Sequence, residues 1–168
     1  RTGKDYGEIY DNHAVELTYA DGSVIYSQCR HFEGTSNRVD ETFQGTKGRV
    51  YLSAGNDGIL WDHGGKQLFS HPKRGNANPY QHEHVELFDA IGKGEYKFQD
   101  AEYGAYSTLT GIIGRLATYS GQVIKWEDAL KSNIDLMPER FAWDALPKVL
   151  PDENGLYPYA IPGQTVVL

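Results

Sequence analysis

Aromatic, imidazole and carboxylate side chains stand close together in the string YDNH, residues 10–13. Tyr10 and His13 each combine a flat ring with a hydrogen-bonding group at its edge, which suits the binding of sugars and hydroxy acids. In an extended strand Asp11 and His13 share one face, and Tyr10 lies on the other face unless the backbone bends. The string opens a predicted strand, a rim position where polar side chains can reach a ligand. Spacing alone favours the interpretation that Tyr10 and His13 are boundary residues with satisfied hydrogen bonds, and a binding site is the alternative.

A second polar string, HEH at residues 82–84, has the residue types of a metal site but not the spacing. On a helix the side chains of His82 and His84 point about 200° apart. Zinc sites use histidines four residues apart or a third nearby ligand. No metal site is therefore predicted. The chain also lacks the nucleotide-binding patterns GxGxxG and GxxxxGK[ST].

The first part of the chain has the pattern of strands joined by short turns. His13, Val15 and Leu17 alternate with polar or small residues, which indicates a half-buried strand. The dipeptide Asp21-Gly22 is typical of a hairpin turn. In order, strands are predicted at residues 13–20, 23–32, 39–44, 49–53, 59–62 and 67–70. Loops this short cannot carry a parallel crossover, so the strands are expected to form an antiparallel meander.

Helices are predicted at residues 80–91, 100–121 and 126–132. The central one has Asp100 as its expected N-cap and Gly121 as its stop, because glycine takes the left-handed conformation easily. Its apolar residues recur every three or four positions, the period of a buried helix face. A neighbouring stripe of small residues indicates that a sheet lies close against this helix; the stripe consists of Ser107, Gly111, Gly114 and Thr118.

The order of the elements, strands first and helices second, predicts the fold class. It favours an α+β fold, with an antiparallel open-faced β-sheet and helices packed on one face. At 168 residues the chain fits a single domain, residues 1–168. The other face of the sheet is left for water, another subunit or a further domain. Beyond Asn133 the chain is rich in proline, and it is expected to form an extended tail anchored by Phe141, Trp143 and Tyr157.

Charge and composition exclude several classes of partner. The formal net charge of −7 argues against nucleic acid, and the scattered Lys and Arg residues argue against a membrane surface. The single cysteine cannot form an internal disulfide. The only methionine is Met137, so the chain is expected to be a processed product or an excised piece of something longer. Its compartment, cytoplasmic or periplasmic, stays open.

Several strings, taken together and in order, resemble one protein family over nearly all of the chain. They are GKDYGEIYDNHAVELTYADG, QCRH, ETFQGTKG, YQHEHVELFDAI, AEYGAYSTLTGIIGRLATYSGQVIKWEDAL and DLMP. This set is similar to the C-terminal domain of the Gfo/Idh/MocA family of NAD(P)-dependent oxidoreductases, in the bacterial branch rich in sugar-active members. The resemblance implies a dihydrodipicolinate-reductase-like C-terminal domain that follows an N-terminal Rossmann domain. The Rossmann domain would bind NAD or NADP and is absent from this chain.

The resemblance also implies site residues and partners. Tyr10 and His13 match positions that contact substrate in sugar-active relatives, and Tyr103 matches a third. Arg30 and His84 are further candidates on their chemistry alone. No catalytic or cofactor-binding residue is expected in this fragment, because the family's catalytic lysine motif and its Asp/His-bearing helix precede the matched region. The expected partners are a carbohydrate substrate, the chain's own Rossmann domain and further copies of the chain, which would associate through the sheet face.

The sequence therefore predicts the substrate-binding and oligomerisation domain of an NAD(P)-dependent oxidoreductase that acts on a carbohydrate or related polyol. The isolated fragment is expected to be inactive. Within the family, the alternative is an NAD-dependent glycoside hydrolase. The alternative from another class is a non-catalytic, self-associating binding or scaffold module.

Overall fold

The structure is a computed structural model that describes residues 7–55, 57–71 and 78–168. Six strands precede three helices in this part of the chain, and every strand pairing is antiparallel, which confirms an α+β fold with an antiparallel sheet. The strands are β1 (Asn12–Thr18), β2 (Val24–Arg30), β3 (Asp40–Gly45), β4 (Gly48–Ser53), β5 (Gly58–Asp62) and β6 (Gln67–His71). The helices are α1 (Pro79–Lys93), α2 (Asp100–Ser120) and α3 (Trp126–Leu130).

The chain divides into two compact units. The first comprises Arg1–Glu33 and Asp100–Leu168, and the second comprises Gly34–Gln99. The first unit holds a two-stranded sheet of β1 and β2, and the second holds a four-stranded sheet in the order β3-β4-β5-β6. The predicted meander is thus interrupted between β2 and β3. The prediction of a single domain stays a prediction, and residues 72–77, between β6 and α1, lie outside the described residues.

In the first unit, a hairpin presents one face to a long helix. Burial alternates along β1, with half-buried His13, Val15 and Leu17 on the face that packs against α2. The predicted hairpin turn is present: Gly22 has φ 83°, and Asp21 accepts hydrogen bonds from the N–H and the hydroxyl of Ser23. These two hydrogen bonds hold the pKa of the Asp21 carboxyl below its usual value.

Helix α2 begins and ends close to its predicted bounds. Asp100 lies in the first turn instead of before it, so its charge acts on the helix dipole. Gly121 is left-handed with φ 68°, as predicted for the residue that ends the helix. The carbonyl oxygen of Ser120 accepts a hydrogen bond of 2.7 Å from the N–H of Gly163, so the C-terminal segment closes this end of the helix.

The glycines of α2 have two different surroundings. A Cβ at Gly114 would lie 3.7 Å from the side chain of Val15 on β1, an ordinary contact, whereas a Cβ at Gly111 would meet nothing within 4 Å. The predicted proximity of a sheet therefore holds at Gly114 but not at Gly111.

A glycine inside a helix lowers its stability relative to alanine, and no packing contact requires a glycine at position 111. We therefore expect Gly111→Ala to raise the free energy of unfolding by roughly 0.5–1 kcal/mol. Gly121→Ala is the contrasting variant. Its left-handed φ and the 3.0 Å approach to Cβ of Pro162 should make it destabilising. Urea denaturation of both variants checks the pair, and a loss of stability in Gly111→Ala would mean that something covers this stripe.

The tail beyond α3 lacks helix and strand, as predicted, but its anchors differ from those predicted. The side chains of Phe141 and Trp143 are exposed, so neither holds the tail to the unit. Tyr157 is also exposed, at 36%. The buried anchor is instead Ala160, which is followed by the segment that closes α2. The aromatic residues of the tail do not mark where it is attached, because the tail is held through hydrogen bonds of its backbone groups.

In the four-stranded sheet of the second unit, residues directly opposite one another in neighbouring strands form rows that cross the sheet. Residues directly opposite in antiparallel strands share a face. One row lies wholly on one face: Phe43, Val50, Leu60 and Phe69. The row beside it on that face is Glu41, Leu52, Gly58 and His71. We call these eight residues the apolar sheet face. Its two phenylalanines are 55% and 60% exposed, in chain order, and the face borders a cavity of about 540 Å³.

Helix α1 begins one residue before and ends two residues after its predicted bounds. Pro79 lies in its first turn, the side chain of Asn78 accepts a hydrogen bond from the N–H of Tyr80, and Gly94 ends the helix with φ 69°. Only Ala90 is buried among the residues of this helix. In the described ranges, no helix combines the length and apolarity needed to cross a bilayer.

Candidate functional site

Three rings come together where the start of β1 meets the end of α2 in the first unit. The ring centroids of Tyr10 and Tyr119 are 4.6 Å apart, and those of Tyr10 and His13 are 6.1 Å apart. The rings of His13 and Tyr119 are nearly parallel, at 14°, with centroids 6.2 Å apart. We call Tyr10, His13 and Tyr119 the aromatic cluster. The structure therefore brings together the two residues of YDNH that the sequence singled out.

Each ring of the cluster is held by a different element. His13 is on β1, directly opposite Cys29, and faces α2 with Val15. Tyr119 is in the last turn of α2 and only 9% exposed. Tyr10 precedes β1 at a bend, which explains why it joins His13 instead of pointing to the opposite face.

Hydrogen bonds fix the position of Tyr10. Its hydroxyl donates to the carbonyl oxygen of Ala160 at 2.6 Å, and its backbone N–H donates to the hydroxyl oxygen of Tyr119 at 3.4 Å. Burial, and then the proximity of Tyr119, raise the pKa of the Tyr10 phenol. Tyr10 therefore stays a neutral hydrogen-bond donor near pH 7, tied to the C-terminal segment.

A cation adjoins the cluster. The guanidinium carbon of Arg115 lies 4.6 Å from the ring centroid of Tyr119, a cation–π contact. Arg115 is four residues before Tyr119, so the two side chains are neighbours on the helix surface. Its side chain is exposed. A flat apolar surface beside a positive charge and an imidazole can contact a sugar ring and hydrogen-bond its substituents.

Tyr103 is not part of this cluster. It lies in the first turn of α2, sixteen residues before Tyr119, which places it about 24 Å away along the helix axis. Its side chain is 74% exposed. The structure thus places Tyr103 far from Tyr10 and His13, although the family resemblance assigns all three to the substrate site.

Arg30 is on β2, one residue from the partner of His13, but it lies on the other face of the hairpin. It pairs with Asn12, whereas His13 pairs with Cys29. Because adjacent pairs alternate in direction, Arg30 is on the face turned away from α2. Reaching the aromatic cluster would require its side chain to pass around the end of the strand.

His84 belongs to the second unit, on α1. Its Nδ1 is 2.6 Å from the carbonyl oxygen of Tyr80, and its side chain is exposed. His82 lies 3.8 Å from the carboxylate of Glu86. No group of three potential metal ligands exists within the described residues.

Sequence reasoning missed Tyr119 and Arg115. Tyr119 lies off the apolar row of α2, and its role depends on the packing of α2 against β1, which local patterns do not specify. The spacing of four between an arginine and a tyrosine was the available signal, since such residues stack on a helix.

A cavity of the first unit lies away from the aromatic cluster. It has a volume of about 980 Å³ and lies between the end of α2, α3 and the C-terminal segment. Lys125 and Lys131 line it, but no residue of the aromatic cluster does. We call it the C-terminal groove. Its walls include Val123 and Val166, which are 92% and 85% exposed, so it is a shallow surface feature.

Comparison with known proteins identifies no relative. No protein-family model, curated protein or solved structure matches this chain.

Proposed function

We propose that this chain is the substrate-binding part of an NAD(P)-dependent oxidoreductase that acts on a carbohydrate or related polyol. The aromatic cluster is the observation that carries the proposal. Two of its three members, Tyr10 and His13, are the residues that the family resemblance assigns to substrate, and they meet at a ring distance of 6.1 Å. Their side chains supply flat apolar contact and a hydrogen-bonding imidazole, the chemistry that sugars require.

Within this proposal the chain orients the substrate and leaves the redox chemistry to the nicotinamide. The dinucleotide belongs to the Rossmann domain that the resemblance places before this chain. His13 hydrogen-bonds a sugar hydroxyl, the half-buried ring of Tyr10 contacts an apolar face of the sugar, and the buried ring of Tyr119 supports Tyr10 from behind. The hydroxyl of Tyr10 already donates a hydrogen bond to Ala160, so Tyr10 contacts the sugar through its ring. The same placement serves an NAD-dependent glycoside hydrolase, in which the hydride returns to the product.

The experiment that tests this proposal uses the full-length protein. We expect a Rossmann motif GxGxxG upstream in the gene, at the distance set by an ordinary domain. His13→Ala should raise KM or lower kcat by about tenfold or more, since it removes a hydrogen bond to substrate and leaves its partner unpaired. His82→Ala is the matched control, because His82 is an exposed histidine on α1 in the second unit. Unchanged kinetics in His13→Ala would refute the site.

A specific observation also favours self-association, the second function that the sequence suggested. The apolar sheet face carries Phe43 and Phe69 at its two edges, and these side chains are 55% and 60% exposed. Large apolar side chains grouped on one exposed face are typical of an interaction surface.

The apolar sheet face is complementary to itself. A two-fold axis parallel to the strands places β3 over β6 of a second copy, and β4 over β5. Phe43 then packs on Phe69 of the second copy, and Val50 packs on Leu60 of the second copy. In the adjoining row, Glu41 faces His71 of the second copy at both edges. We therefore propose that a second copy of the chain covers this face, as in other sheet-on-sheet packings with about 10 Å spacing.

A further inference from the structure

Arg115 is a charged side chain that adjoins the aromatic cluster through its contact with Tyr119. No carboxylate lies within ion-pair distance of Arg115 in the part of the chain that the structure describes. Its neighbours on the helix surface, three and four positions away, are uncharged: Gly111, Ile112, Thr118 and Tyr119. In a chain of net charge −7, this is a local positive centre.

Contact with Tyr119 also restricts the guanidinium. The guanidinium carbon is 4.6 Å from the ring centroid of Tyr119, and the side chain of Arg115 is exposed. Stacking on the ring leaves the in-plane N–H groups of a guanidinium free to donate. An arginine held in this way is suited to bind a planar oxyanion through two parallel hydrogen bonds. The ring of Tyr119 also contacts Tyr10, so an anion on Arg115 would belong to a ligand on the aromatic cluster.

We propose that Arg115 binds an anionic substituent of the sugar, so that the substrate of this site is a sugar carrying a carboxylate or phosphate group. This inference rests on the proposed function, because it needs the aromatic cluster to be the sugar site. The ring of Tyr10 contacts the sugar, His13 hydrogen-bonds a hydroxyl, and Arg115 pairs with the oxyanion. Arg115 thus determines specificity and takes no part in the redox step.

The test compares charged and neutral sugars on the chain itself. Binding of glucuronate, galacturonate, glucose 6-phosphate, glucose and galactose is measured by titration with NMR detection. We expect at least one anionic sugar to bind about tenfold or more tightly than its neutral counterpart, the scale of a charge-assisted hydrogen-bonded pair. Comparing the uronates with the sugar phosphate identifies the anionic group. The preference should shrink in high salt, since the site is exposed.

Variants separate the role of Arg115 from a general effect of charge. Arg115→Gln should abolish the preference for the anionic sugar. Arg115→Lys should retain part of it, because lysine keeps the positive charge but cannot form two parallel hydrogen bonds to the oxyanion. Arg49→Gln is the matched control, because Arg49 stacks on Trp61 at 4.7 Å in the second unit. It should leave the preference unchanged. Circular dichroism confirms that each variant is folded.

The outcomes distinguish this inference from the function on which it rests. Equal binding of neutral and anionic sugars at the aromatic cluster would overturn the role of Arg115 but keep the sugar site. Persistence of the preference in folded Arg115→Gln would overturn it as well. Absence of binding by every sugar would overturn both.

Discussion

Gly48→Ala is expected to destabilise the second unit by roughly 3 kcal/mol or more, because the new methyl group has no space. Gly48 opens β4 and pairs with both Gly45 and Asp62. A Cβ at this position would overlap the carbonyl oxygen of Trp61, and it would lie 3.2 Å from Cα of Asp62. These are backbone atoms of the neighbouring strand, so relief requires β4 and β5 to separate.

Gly45→Ala provides the control for this prediction. Gly45 lies directly across from Gly48, but a Cβ there would meet only the carbonyl oxygen of Gly48, at 3.9 Å. It should change stability by about 1 kcal/mol or less. Thermal or urea unfolding, followed by NMR signals of β4 and β5, measures both variants. Equal midpoints for the two would show that the strands do not pair in this register.

Phe69→Asp is expected to convert the proposed dimer into a monomer. Two-fold symmetry introduces the change twice, and each copy loses a phenylalanine contact and buries a carboxylate. The combined cost of about 4 kcal/mol or more corresponds to roughly a thousandfold weaker association. Because Phe69 is 60% exposed in the single chain, the substitution should leave the unit folded.

Ser70→Asp is the matched control, since Ser70 is the next residue on β6 and belongs to the opposite face. It should leave the dimer intact. Analytical ultracentrifugation over a range of concentrations provides the dissociation constants. A wild-type chain that stays monomeric up to high concentration, or a dimer that tolerates Phe69→Asp, would rule out this face as the interface.

The edge pair offers a finer check on the register of the dimer. Glu41→Lys would place a lysine opposite His71 of the second copy, and His71→Glu would place a glutamate opposite Glu41 of the second copy. Each variant should therefore weaken association, because it replaces the complementary pair at the edge of the interface. The double variant should recover part of the loss, since the introduced lysine of one copy would then face the introduced glutamate of the other. Additive losses in the double variant would show that these residues do not meet.

Local structure was predictable from the sequence because its signals are local. The alternation of His13, Val15 and Leu17 corresponds to the observed burial of β1, and Asp21-Gly22 forms the predicted turn. Gly121 ends α2 where its freedom to adopt a positive φ is needed. For the nine elements of the described residues, the predicted bounds differ from the observed ones by no more than two residues.

Tertiary relations were less predictable, because they depend on which surfaces meet. Nothing local to residues 31–39 indicates that strand pairing stops there and that two sheets form. The bulky Trp143 was expected to anchor the tail, yet it is exposed, while the small Ala160 is buried. Tyr119 joins Tyr10 only because α2 packs on β1. The sequence therefore identified half of the candidate site through YDNH, and the helix supplied the rest.

The most direct test of the central proposal maps where a sugar binds on this chain. NMR spectra of the labelled chain are recorded with saturating concentrations of each sugar in the panel. The account predicts that the side-chain signals of Tyr10, His13 and Tyr119 shift with a common affinity. Shifts confined to Lys125 and Lys131 in the C-terminal groove, or none with any sugar, would contradict it.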